Sequence, residues 1–137
     1  EHDPDWARRV QQRLDELGFD HVDYRIMEPS ADDSTRYGSE KAPYRDCSFK
    51  DYVTAVESVD DGSLNCLIVD GRAREACVRT GRRKVTPGGY LILDDIQRER
   101  YEEVLEELKR DWKAPEIYSG VTPRTKGPRP TAVFRQP

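Results

Sequence analysis

The sequence predicts an α/β fold: one domain, residues 1–137, built around a doubly wound, mostly parallel sheet. Three observations predict it. Helix-periodic segments alternate with short strand-like runs, the order that lays helices across a parallel sheet. Two of those runs, in LNCLIVDG (64–71) and GGYLILDD (88–95), are continuously apolar, as strands covered on both faces must be. Both end abruptly in aspartates, Asp70 in the first and Asp94 and Asp95 in the second, at the carboxyl ends of strands where such sheets gather their ligands.

Each element follows from local pattern. DPDWARRVQQRLDELG predicts an amphipathic helix with Trp6, Val10, Leu14 and Leu17 on its core face, Asp3 as N-cap, Pro4 at the first helical position and Gly18 as the stop. HVDYRIM (21–27) alternates Val22, Tyr24 and Ile26 with polar residues and predicts a short strand. A long polar loop follows, functional or disordered. SFKDYVTAVESV predicts a short helix and DDGS a turn before the first apolar strand. A helix over about 73–84, the turn TPGG, the second apolar strand and a long helix come next. That helix carries Ile96, Tyr101, Val104, Leu105, Leu108 and Trp112 on one side. PEIYSG and TAVFR predict two more strands, joined by the basic, Pro-rich loop VTPRTKGPRP.

Composition narrows the function classes. With 35% hydrophobic residues the chain supports a single core. Its 27 acidic and 23 basic residues are interleaved, which argues against a dedicated nucleic-acid or anionic-membrane binder. Cys47, Cys66 and Cys77 are odd in number and lack CxxC spacing, so neither a disulfide frame nor a zinc site is expected, and the implied compartment is reducing, intracellular and cytoplasmic. Cys66 and Cys77 are expected to be small buried fillers. No apolar run approaches the roughly 20 residues of a membrane span.

If the two apolar strands are neighbours, Asp70, Asp94 and Asp95 converge across an interchain spacing of about 5 Å. Three close carboxylates raise one another's pKa unless a cation or basic group holds them. A hard divalent cation such as magnesium is the natural candidate, with Asp70, Asp94 and Asp95 as its ligands; Arg72 and Arg74 are the competing counter-ions.

LNCLIVDGRAREACV, VTPGGYLILDDIQRERYEEVLEEL and TAVFR, in that order and spacing, resemble strands four to seven of class I S-adenosylmethionine-dependent methyltransferases, a Rossmann-like fold. EHDPDWARRVQQRLDELGF resembles the end of that family's second strand and its helix. The resemblance implies that Glu1 binds the cofactor's ribose hydroxyls, that His2 lies against adenine, and that Asp46, Cys47 and Ser48 lie near the adenine amine. It also implies that TAVFR runs antiparallel to its neighbour. The VDG and LDD pair resembles the metal-dependent O-methyltransferase branch, in which these aspartates hold magnesium. There Asp70 and Asp95 are the expected catalytic residues, and transfer is to an oxygen of a small-molecule or sugar acceptor. The base that this branch carries just after strand four is replaced by Arg72 and Arg74. The family's first strand and glycine-rich loop have no counterpart, since the only GG is Gly88-Gly89, so a sheet truncated at the N-terminus is expected. The expected partners are a small-molecule acceptor and, at most, further copies of the chain.

Blander readings compete at each site. Asp94 and Asp95 would cap the following helix, and Asp70 would be turn chemistry before Gly71. Glu1 would fray, His2 and His21 would be exposed polar residues, and Arg124, Lys126 and Arg129 a solvated loop. Three other function classes are open. A phosphorelay receiver also groups an acidic pair with a single aspartate, but in the reverse order. A metal-dependent glycosyltransferase would use LDD to hold a sugar-nucleotide diphosphate. A catalytically inactive methyltransferase-like binding module would need neither glycine loop nor metal.

Overall fold

The computed structural model describes every residue except 32–34, 40–42 and 122–126. The chain divides into two compact units, Glu1–Ala55 and Val56–Pro137.

In the first unit, helix α1 spans Pro4–Glu16. Its predicted cap forms: the Asp3 carboxylate accepts from the backbone N–H groups of Asp5 and Trp6, satisfying two of the donors a helix start leaves open. Gly18 takes a positive φ of 67° just beyond the end. The stripe predicted as a core face is largely open, with Trp6 and Leu17 exposed and only Ala7 of this helix buried. The period was read correctly, but among the described residues nothing apolar covers its ends. Residues 22–27 carry no regular secondary structure, and His21 belongs to a turn, so no strand forms here. Among the described residues their backbone pairing is with Glu1, whose N–H donates to the Arg25 carbonyl (2.9 Å) and whose carbonyl accepts from Met27 N–H (2.7 Å). This is one rung of a parallel ladder, too little for a strand. In the polar loop, a 3-10 turn forms at Thr35–Tyr37 and Ser30 pairs with Ser48. Helix α2 (Lys50–Thr54) runs into a 3-10 turn at Ala55–Ser58, as the short-helix reading expected.

The second unit holds a four-stranded mixed sheet. Strands β1 (Leu64–Val69) and β2 (Val85–Leu93) run parallel as neighbours. Strand β4 (Pro128–Arg135) lies antiparallel beside β2, and β3 (Glu116–Val121) antiparallel outside β4. The order is therefore β1-β2-β4-β3. Helix α3 (Arg74–Gly81) carries on into a 3-10 turn to Lys84, and helix α4 (Glu102–Asp111) follows a 3-10 turn at Glu99–Tyr101. The predicted TPGG turn lies within β2, where the four residues Thr86 to Gly89 stand opposite Asn65 alone between the Leu64–Val85 and Cys66–Tyr90 rungs. Gly88 adopts a φ of 79° there, which lets the strand bulge without breaking.

One face of the sheet carries the core. Val69, Leu91, Leu93, Ala132 and Phe134 pack there against Val78 of α3 and Val104, Leu105 and Leu108 of α4, with Tyr101 and Trp112 closing the cluster. Full burial of a residue such as Leu108 contributes about 1.5–3 kcal/mol. The other face is less covered than apolar strands predicted, for Ile68 is 66% exposed and Cys66, expected as a buried filler, is exposed. Both helices of this unit lie on the first face, so the unit alone is not doubly wound. Lys84 is a buried cation, its amine donating to the Val59 carbonyl and pairing with Asp61, each at 2.6 Å; it pins the chain leading into β1. No helix among the described residues is long and apolar enough to cross a membrane.

Candidate functional site

The parallel pairing of β1 with β2 brings Asp70, Asp94 and Asp95 together, as the strand-end reading required. What holds them is an arginine. Arg74, in the first turn of α3, is 8% exposed. Its Nε donates to the Gly71 carbonyl (3.1 Å), Nη1 to the Asp94 carbonyl (2.5 Å), and Nη2 to both the Asp70 carbonyl (3.1 Å) and Asp70 Oδ1 (2.9 Å). Its charge also lies 3.8 Å from Asp94 and 3.7 Å from Asp95. One planar fork thus satisfies carbonyls at the ends of both strands and faces all three carboxylates, a task suited to guanidinium geometry. Ala73, just before α3, takes the left-handed conformation (φ 44°) as the chain turns into the helix that bears this arginine.

The three carboxylates differ. Asp70 is the open one, its side chain 65% exposed. Its pKa is raised, by partial desolvation first and then by the facing carboxylates of Asp94 and Asp95, against the opposing pull of Arg74. Asp94 Oδ1 accepts a short 2.5 Å bond from Thr131 Oγ1 on β4. Asp95 is 13% exposed and adopts a φ of 59°, which aspartate tolerates better than most residues. Its Oδ2 pairs with Arg98 at 2.6 Å and its Oδ1 with Arg129 at 3.0 Å. Burial pushes the Asp95 carboxyl upward, but Gln97, Arg129, Arg98 and Arg74 together outweigh it and hold the carboxyl below the usual range.

This geometry corrects two expectations. Asp94 and Asp95 cap no helix, because α4 begins only at Glu102. Nor do Asp70, Asp94 and Asp95 form the predicted magnesium site: among the described residues no group of three or more His, Cys, Asp or Glu side chains is disposed to hold a metal ion. The physical reason is that guanidinium groups already neutralise these carboxylates. Arg98 and Thr131 were not singled out from the sequence. Arg98 stands three residues from Asp95, a local hint; Thr131 stands 37 residues from its partner and only the β2–β4 pairing reveals it. Arg129, read as loop, sits on β4, while Arg124 and Lys126 lie outside the described residues.

The predicted cofactor residues gather in the first unit. Glu1 Oε1 accepts from the backbone N–H of His2 (2.6 Å) and of Asp3 (2.8 Å), with His2 Nδ1 at 2.9 Å. Although burial raises its pKa, those backbone donors and the adjacent His2 lower it overall, so Glu1 is ionised at neutral pH. Its Oε2 makes no hydrogen bond among the described residues. The His2 ring meets Tyr44 edge-on at 5.1 Å between centroids and Phe49 at 5.5 Å, and is largely buried, so it is not the exposed polar residue of the blander reading. This brings residue 2 beside the 44–49 segment that holds the other candidates. Ser48 is buried and its Oγ accepts from Lys50 N–H at the start of α2; Cys47 is half-buried and Asp46 exposed.

The mixed α/β sheet is compatible with the Rossmann-like methyltransferase fold that the resemblance implies. β1 and β2 are parallel neighbours, and TAVFR in β4 runs antiparallel to the strands beside it, as the resemblance implies. Solved structures are similar in overall fold. The chain is similar to the precorrin 8W decarboxylase of Methanobacterium thermoautotrophicum (TM-score 0.56, 16% identity), covering 98% of this chain and 66% of that one. It is also similar to a precorrin-6Y C5,15-methyltransferase domain from Corynebacterium diphtheriae (0.53, 13%), covering 100% of this chain and 71% of that one. A third likeness is to the C-terminal domain of precorrin-6Y C5,15-methyltransferase from Rhodobacter capsulatus (0.52, 13%), covering 99% and 65%. The chain therefore spans about two thirds of their lengths, and at such identities the likeness is one of fold. No family model and no curated protein matches the chain.

Proposed function

We propose that the chain is an S-adenosylmethionine-dependent methyltransferase. The observation that carries this reading is the strand order, in which the last strand lies antiparallel between the second parallel strand and the β3 edge. The two neighbours named as methyltransferases lend it support.

The first unit's residues suit the cofactor. Glu1 is ionised and keeps one carboxylate oxygen for a ribose diol, and the His2 ring, steadied by Tyr44 and Phe49, offers a flat surface for adenine. When bound, S-adenosylmethionine would supply an electrophilic methyl group. In the second unit, Asp70 is the group suited to take a proton from an acceptor, being exposed and of raised pKa. Arg74 fixes its position, while Asp94 and Asp95 are occupied elsewhere. The two methyltransferase neighbours are named for methylation at positions C5 and C15, so the likeness lends nothing to an oxygen acceptor. The pairing of Asp94 and Asp95 with Thr131 and arginines favours this reading over the magnesium and glycosyltransferase alternatives.

Calorimetry with S-adenosylmethionine and S-adenosylhomocysteine tests the proposal. Binding is expected, with Glu1→Ala weakening it by about 1–3 kcal/mol, the loss for a charged acceptor. No heat at millimolar cofactor would overturn it in favour of a binding module.

A further inference from the structure

The charged cluster of the second unit is polarised. At one end Arg74 serves Asp70 and Asp94 and also lies 3.7 Å from Asp95. At the other, two arginines share one carboxylate, Arg98 on Asp95 Oδ2 and Arg129 on Asp95 Oδ1. Each guanidinium carries five N–H donors. The described bonds use one from Arg98, at 2.6 Å, and one from Arg129, at 3.0 Å, while their side chains stay 40% and 30% exposed. Two like charges converge at this end only because Asp95, itself 13% exposed, stands between them with one oxygen toward each. Its left-handed backbone conformation aims the carboxylate between a residue three positions on and one 34 positions on. The outcome, among the described residues, is a pair of forked guanidinium groups held on one carboxylate with N–H donors left over, at the same strand ends as the open carboxylate of Asp70.

We propose that Arg98 and Arg129 recognise an anionic oxygen group, a carboxylate or a phosphate ester, on the molecule this protein acts upon, with Asp95 as their positioning residue. Oxyanions are the ligands that forked guanidinium donors bind best. The inference deepens the methyltransferase reading, on which it rests for calling that molecule the methyl acceptor; the anion site itself involves only residues of the second unit.

The test is a titration of the isotope-labelled full chain with succinate and, separately, with inorganic phosphate, following arginine Nε–H resonances. Saturable shifts are expected at Arg98 and Arg129 and none at Arg79, which is held by Glu103 and Glu107. Arg98→Gln and Arg129→Gln should each weaken binding about tenfold or more, as for loss of a charged hydrogen bond. Arg79→Gln should leave it unchanged. If a glutamine variant does not fold, Arg98→Lys and Arg129→Lys, which keep charge but lose the fork, should still weaken it. A response to succinate alone assigns a carboxylate, and to phosphate alone a phosphate ester. The inference is overturned if neither anion shifts these resonances, if Arg79 responds equally, or if the variants bind as the parent does. Anion binding without cofactor binding supports this site and sinks the methyltransferase reading; cofactor binding without anion binding sinks only this site.

Discussion

Arg74 shows how one residue can decide what an acidic cluster is. Without it, three carboxylates at adjoining strand ends would need an external cation; with it, they become the mutual partners of a buried guanidinium. Arg74→Met should cost about 3–5 kcal/mol in urea denaturation, because it leaves strand-end carbonyls and carboxylates without their donor. Arg74→Lys should recover part of that, since one ammonium cannot reach the Gly71, Asp94 and Asp70 carbonyls at once. Asp95→Asn should destabilise by about 1–3 kcal/mol, as charge is removed from two arginine bonds at a site only 13% exposed. Asp70→Asn should cost less, because its carboxylate is open to water and faces a like charge. A ranking with Asp70 above Asp95 would show that the open carboxylate, not the buried one, holds the cluster together.

Among the elements, β2 bears the heaviest constraint. It pairs with β1 and β4, and its bulge runs past Asn65 of the adjoining strand. A Cβ on Gly89 would stand 2.9 Å from the carbonyl oxygens of Asn65 and Thr86, and backbone atoms cannot turn aside as a flexible side chain can. Gly89→Ala should therefore destabilise by about 1–3 kcal/mol, the usual penalty of overpacking. At Gly81 the neighbour is the tip of Leu67, which can move, so Gly81→Ala should cost less. Thermal unfolding of both variants checks the order. The sequence showed the elements with strong local signals: α1 with its Asp3 cap, the apolar strands β1 and β2, and the amphipathic face of α4. It misled where the outcome depended on partners. VDYRI has the alternation of a strand, yet among the described residues its backbone pairing is a single rung on Glu1. TPGG has turn chemistry, yet β2 runs through it as a bulge, with Gly88 and Gly89 bonded to Gln136 just past β4. The site divides the same way. That Asp70, Asp94 and Asp95 meet was legible from two strand ends, and Arg74 was legible as a rival to a metal ion. Arg129 and Thr131 reach the cluster only through the antiparallel register of β4, which no local pattern encodes.

For the whole molecule, the carboxyls with resolved shifts predict how stability responds to acid. Glu1, Asp3, Asp23, Asp61, Asp95 and Glu107 all lie below their ordinary values, whereas Asp70 lies above. A group whose folded pKa is depressed binds its proton more weakly when folded. Its contribution is complete above the unfolded value, about 3.9 for Asp and 4.3 for Glu, and is lost as pH falls through the folded value. Asp70 works in the opposite sense: its contribution is present below about 3.9 and declines as pH rises through its raised value. Most of the depressed groups are exposed and contribute little. Asp95 is the least exposed of the Asp–Arg partners and should dominate the response. The melting temperature should be nearly flat from pH 7 to about 5 and fall steeply below about 4. Asp95→Asn should lower the neutral-pH plateau and flatten the acid limb, and Asp70→Asn should leave that limb at least as steep. Calorimetric scans of the three proteins between pH 2.5 and 7 decide it, and an acid limb unchanged by Asp95→Asn would mean that Asp95 titrates alike in the folded and unfolded chain.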